Sequence, residues 1–170
     1  MTERSDTGTR VLIAVTEFSP VDKLWRAALD IIAESPGELL AVFVSEDHWH
    51  RAASLPFTLE ISRLSGAGAK FTQQRAEQVR REAIQRTRAL MTQLAANANL
   101  ALAFEVLAGS DTTRFLKLAT GPRSVLVVPS ILARRPLYAE LKKTNCRIEL
   151  VGYNGEPDKQ QNSPDPVRPR

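Results

Sequence analysis

The chain has 170 residues, of which 43% are hydrophobic, 25% charged and 6% aromatic, enough apolar material for one packed domain and too much for wholesale disorder. A single cysteine, Cys146, excludes an internal disulfide framework and a four-cysteine zinc site, and two histidines leave little room for metal or triad chemistry. The net charge of +4 hides an asymmetry: residues 1–69 hold 6 basic and 10 acidic side chains, residues 70–90 hold 6 and 2, residues 91–155 hold 8 and 4, and the last fifteen balance at 3 and 3.

Residues 1–9 read as a flexible N-terminus; the polar run MTERSDTGTR lacks the features of a signal peptide. Arg10-Val-Leu-Ile-Ala-Val15 is an unbroken apolar run, the pattern of a strand buried on both faces of a parallel sheet. Ser19 and Pro20 then offer an N-cap and a first-turn proline for a helix whose apolar stripe is Val21, Leu24, Trp25, Ala28, Leu29 and Ile32. After Pro36-Gly37, Leu39 to Val44 is a second buried strand, completing a βαβ unit. Ser45 to Lys70 lacks clear periodicity apart from a short helix expected near Phe57 to Leu64. A loop of that length inside a domain is functional or covers something.

Lys70 to Asn97 reads as a long helix with a stripe of Val79, Ala83, Leu90, Met91, Leu94 and Ala98, and with Glu77–Arg81 and Glu82–Arg86 at salt-bridge spacing. Leu102 to Leu107 is a third strand, and Ser110 or Asp111 caps the short helix that carries Phe115, Leu116 and Ala119. Ser124 to Pro129 is a fourth strand, Pro136 opens another short helix, and Arg147 to Val151 alternates in polarity as an edge strand does. The longest uncharged apolar stretch, around residues 124–133, is about half of the roughly 20 residues a membrane span needs, which predicts no membrane insertion. Residues 154–170 are proline-rich and read as a disordered tail. The expected architecture is an α/β domain over residues 10–153: an open, doubly wound, five-stranded parallel sheet with helices on both faces.

In such sheets ligands bind beyond the carboxyl ends of the strands, at the topological switch point. Gly109-Ser-Asp-Thr-Thr113 opens a helix there, a setting for an anion or for an ordinary N-cap. Gly66-Ala-Gly68-Ala-Lys70 follows no strand and lacks the spacing of a phosphate-binding loop. Glu46-Asp-His48-Trp-His50 is the densest group of potential metal ligands; in extended chain His48 and His50 project to one side, although a third firm ligand is lacking. There is no GxSxG elbow, HExxH or GxGxxG, and the acidic residues of a phosphoacceptor receiver are missing, with Val15-Thr16 and Leu107-Ala108 in their places. The pI near 9.6 invites nucleic acid. The arginines responsible, however, share one helix with glutamates and no interleaved aromatics, which is the pattern of a solvated face.

Val11-Leu-Ile-Ala-Val15 before a capped helix, Leu40-Ala-Val-Phe-Val44 before a long loop, Val106-Leu-Ala-Gly109 before a short helix, and Val125-Leu-Val-Val128 together resemble the universal stress proteins over about residues 10–152. The resemblance implies strand order 3-2-1-4-5 and a homodimer; with the polar N-terminus the expectation is a cytoplasmic bacterial protein in stress response. Because an exposed edge strand needs a partner, the last strand, Arg147, Ile148, Glu149, Leu150 and Val151, is the expected dimer contact. In some members the resemblance also implies ATP at the switch point. Those members carry an aspartate after the first strand, where this chain has Thr16, and a glycine-rich phosphate segment after the fourth. Here Pro129-Ser-Ile-Leu-Ala-Arg-Arg-Pro136 follows, and no glycine occurs until Gly152. The positions equivalent to the family's crevice are Val15, Thr16, Val44, Gly109 and Ser130; the Arg134–Arg135 pair beside them could attract an anion at a different site. The expectation is a dimeric regulatory or interaction module that is not an enzyme, has no cofactor and does not bind ATP in the usual way. A nucleotide- or small-anion sensor at the switch point is the alternative.

Overall fold

The computed structural model describes residues 8–152; the expectations for the first seven residues and for the proline-rich tail lie outside them. Five parallel strands form one sheet in the order β5-β2-β1-β6-β7. They are β1 (Thr9–Val15), β2 (Gly37–Ser45), β5 (Leu102–Ala108), β6 (Ser124–Pro129) and β7 (Arg147–Val151). Two further strands, β3 (Leu59–Ile61) and β4 (Gly68–Lys70), pair only with each other. With that hairpin set aside, the order is 3-2-1-4-5. The register runs Val11↔Leu39 and Val11↔Val125 on the two sides of β1, so the central strand is hydrogen-bonded along both edges.

Alternation along these strands divides the core into two layers. Val11, Ile13, Val15, Ala41, Phe43, Val125 and Val127 face α1 (Val21–Glu34) and α3 (Gln73–Asn97). Leu12, Ala14, Val42, Val44, Leu126 and Val128 face α4 (Thr112–Ala119), α5 (Pro136–Leu141) and the 3-10 turn Ser130–Arg134. The central strands are apolar throughout because both of their faces are covered. β7 has one neighbour and runs from an exposed Arg147 to a buried Val151, as an edge strand should.

Several local expectations are corrected. Residues 57–64 form no helix: Leu55, Phe57, Leu59 and Ile61 recur with period two, Gly66 turns the chain at φ 68, and the segment becomes the antiparallel β3–β4 hairpin. The helix in this region is α2 (His48–Ser54), one element earlier. Thr9, assigned from sequence to the N-terminal segment, is the first residue of β1. Ser19 does not cap α1; its hydroxyl accepts the Thr16 N–H at 2.7 Å and closes the turn after β1. α3 begins at Gln73, where the Thr72 hydroxyl accepts the Arg75 N–H. Its buried positions are Ala76, Ala83, Thr87, Met91 and Ala95, whereas Leu90 and Ala98 are exposed. Glu82 turns back to Gln78 and Arg75 rather than forward to Arg86.

Glu77 ties α3 to α2. Its carboxylate accepts from Arg80 at 2.9 and 3.0 Å and from Arg81 at 3.0 Å, and His50 Nε2 lies 3.4 Å away. The Arg80 and Arg81 hydrogen bonds hold its pKa down from the usual 4.5 to about 2. A carboxylate depressed in the folded state stabilises above its unfolded pKa and loses that contribution as pH falls through the folded value. The stability difference between the wild type and Glu77→Gln is therefore expected to be full at neutral pH, to shrink between pH 4.5 and about 2, and to weaken with salt. Side-chain NMR titration and paired thermal melts check both.

Candidate functional site

The carboxyl ends of β1, β2 and β5, with the segment after β6, converge on one edge of the sheet. Thr16 is buried at the end of β1, with its Oγ1 2.9 Å from Ser19 Oγ. The next residue, Glu17, accepts the Trp49 indole N–H at 2.7 Å and stands 3.3 Å from His48 Nε2. His48 Nδ1 lies 3.9 Å from Glu46 Oε2, and the same oxygen accepts from Arg135 at 2.9 Å. This relay joins the turn after β1, the helix after β2 and the entry to α5. Phe18 and Trp49 flank the His48 ring with centroids 5.5 and 4.9 Å away. Both imidazole nitrogens are shielded from solvent and neither completes a hydrogen bond of good geometry; each faces a carboxylate instead.

α2 separates the two histidines. His48 points to Glu17 and Glu46, while His50 Nδ1 lies 2.9 Å from Gln73 Oε1 and its backbone carbonyl accepts from Gln73 Nε2. Residues two apart on a helix do not share a side, so the extended-chain placement of both on one side does not hold. Among the described residues no group of three His, Cys, Asp or Glu side chains is arranged to hold a metal ion.

Beside the relay a crevice of about 430 Å³ opens between the end of β2, the β5–α4 loop and the start of α5. Of the positions named from the family pattern, Val44 and Gly109 line it. Gly109 donates its N–H to the Ser45 carbonyl at 2.8 Å. The other expected positions lie elsewhere. Val15 is sealed in the α1–α3 layer, and Thr16 borders a separate cavity of about 10 Å³, the size of a single water site. Ser130 and Arg134 are exposed and do not line the crevice. Its polar wall is instead Glu46, Asp47, Arg51, Ser110, Thr112 and Arg135. Glu46 and Asp47 stood out in the sequence as potential ligands and Arg135 as half of an arginine pair; nothing local marked Arg51.

The segment after β6 determines what this crevice can hold. Pro129 has no N–H to offer, and residues 130–134 tighten into a 3-10 turn that buries Leu132 in the layer against α4 and α5. No row of glycine N–H groups faces the cavity. At the start of α4 the anion position is taken by the protein itself: Asp111 is the N-cap and accepts the Arg114 N–H at 3.3 Å. Arg135 is neutralised by Glu46, so the wall is close to charge balance. The lone thiol is also quiet. Cys146 donates to the Ser124 carbonyl at 3.3 Å, and burial pushes its pKa up, away from a nucleophilic thiolate.

No family model matches the chain, and no curated protein matches it.

Proposed function

We propose that the chain is a universal stress protein-like regulatory module that works as a homodimer in the cytoplasm, performs no catalysis and does not take ATP through a glycine loop. The strand order and the crevice at the sheet's carboxyl edge support the reading, and the observation that carries it is the segment after β6. A triphosphate needs a concave run of backbone N–H groups, and here a proline and an inward-turned 3-10 segment with Leu132 buried occupy that stretch. The dimer contact is β7, whose outer edge has no strand partner among the described residues; antiparallel pairing with its symmetry mate removes an exposed edge and extends the sheet to ten strands. Native mass spectrometry of the purified protein tests both parts. The expected result is a dimer mass with no retained nucleotide. A monomer at high micromolar concentration removes the β7 contact, and a bound nucleotide removes the rest.

One observation favours a second reading, a small-anion sensor. Arg51 lines the crevice and has no ion-pair partner among the described residues. Binding of phosphate or AMP that is lost in Arg51→Ala is the result that distinguishes it.

A further inference from the structure

The segment between α2 and α3 leaves an unusual amount of apolar surface in water. Leu55, Phe57, Leu59, Ile61 and Leu64 are all exposed, with Phe57 at 96% and Leu64 at 102%. From Leu55 to Lys70 every residue except Thr58 and Glu60 is exposed, so the β3–β4 hairpin is a solvent-facing arm. Five large apolar side chains exposed within ten residues mark a place where something docks.

The arm has two distinct faces. Leu59 and Ile61 project together on one, where their cross-strand neighbours are Lys70 and Gly68. The other face carries Glu60, clamped by Arg75 through two hydrogen bonds of 2.8 and 2.6 Å that fix the hairpin to α3. At the base Phe57 sits at φ 65, a left-handed conformation that bulky residues avoid, and its ring is nonetheless held in solvent rather than in the core.

The charges decide the occupant. Arg51 at the end of α2, Arg63 at the hairpin turn and Lys70 on β4 have no ion-pair partner among the described residues, while the arm's one carboxylate is spent on Arg75. A symmetric contact with a second copy would set like cations against one another. A lipid surface needs no groove to receive an exposed arm: apolar side chains enter at the headgroup–acyl boundary while long cationic ones stay with the phosphates. We propose that the β3–β4 arm docks this protein on anionic phospholipid surfaces, with the Leu59–Ile61 face inward, Phe57 and Leu64 as apolar anchors, and Arg63 and Lys70 on the headgroup phosphates.

Co-sedimentation of the full chain with vesicles tests this independently of the crevice. Binding is expected to phosphatidylcholine vesicles containing phosphatidylglycerol, to fall with salt, and to be weak on phosphatidylcholine alone. Each cation contributes about fivefold, so Arg63→Gln with Lys70→Gln should lower partitioning by roughly 25-fold. Ile61→Ser with Leu64→Ser should lower it at least about tenfold, from the lost apolar insertion, with thermal stability and native mass unchanged because both positions are exposed. Three results overturn the proposal: no binding to anionic vesicles, which leaves the arm to a protein partner; binding undiminished in both variants; or a reduced solution mass for the serine variant, which assigns the arm to a second copy.

Discussion

Phe115→Ala is expected to lower the stability of the domain by about 3–5 kcal/mol. Phe115 is 1% exposed and is the largest fully buried side chain among the described residues, packed with Leu12, Leu107, Leu126 and Val128 of the sheet. It sits on α4, an eight-residue helix that is too short to persist in water without its packing. Deleting the ring removes its transfer free energy and leaves a cavity between helix and sheet that rigid strands cannot collapse into. Against a total of about 5–15 kcal/mol, the variant should show a much reduced urea midpoint at unchanged slope. It should also loosen the wall of the crevice, because Ser110 and Thr112 are carried on the same helix and its lead-in. A loss below about 1 kcal/mol would mean that α4 is not docked as described.

Leu132→Asp is expected to cost about 4 kcal/mol or more at neutral pH, the range reached when an unpaired charge is buried. Leu132 is the one residue of the 3-10 turn that is fully buried, and it pins the turn into the same layer as Phe115, Leu137 and Leu141. A carboxylate there titrates above its unfolded value of roughly 3.9, so its penalty is largest at high pH and is relieved as pH falls. The deficit relative to Leu132→Asn should therefore shrink between neutral pH and about pH 4, measured by paired thermal melts. Equal deficits at both pH values would place residue 132 in contact with water and remove the plug from the account.

The parts of the fold that were legible in the sequence are those where burial acts on a whole segment. β1, β2 and β6 show as unbroken apolar runs because both of their faces are covered, and β7 shows as an alternating run because it lies at an edge. Around His48 the chain obeys no such rule. α2 buries none of its residues, so it has no apolar stripe to read, and it is held instead by the Trp49–Glu17 hydrogen bond and the His50–Gln73 contacts across the chain. The hairpin's period-two pattern was present in Leu55, Phe57, Leu59 and Ile61 but pointed to no core, because those side chains face solvent. At the site, Val44 and Gly109 came from the resemblance to a family pattern rather than from the residues themselves. The Glu46–Arg135 clasp spans residues far apart in sequence and needed the sheet order to bring them within 2.9 Å. The basic character of residues 70–90 resolves in part in the same way: Arg80 and Arg81 share Glu77 within the run and Arg75 reaches out of it to Glu60, so half of its six cations are committed to glutamates.

The central claim is that the sheet's carboxyl edge, as closed by Pro129 and the Ser130–Arg134 turn, does not grip a nucleoside triphosphate. Isothermal titration of ATP with magnesium into the full chain tests it most directly. No saturable site is expected, meaning a dissociation constant weaker than about 1 mM and a binding free energy smaller than about 4 kcal/mol. One site per chain with a dissociation constant in the low micromolar range would contradict it.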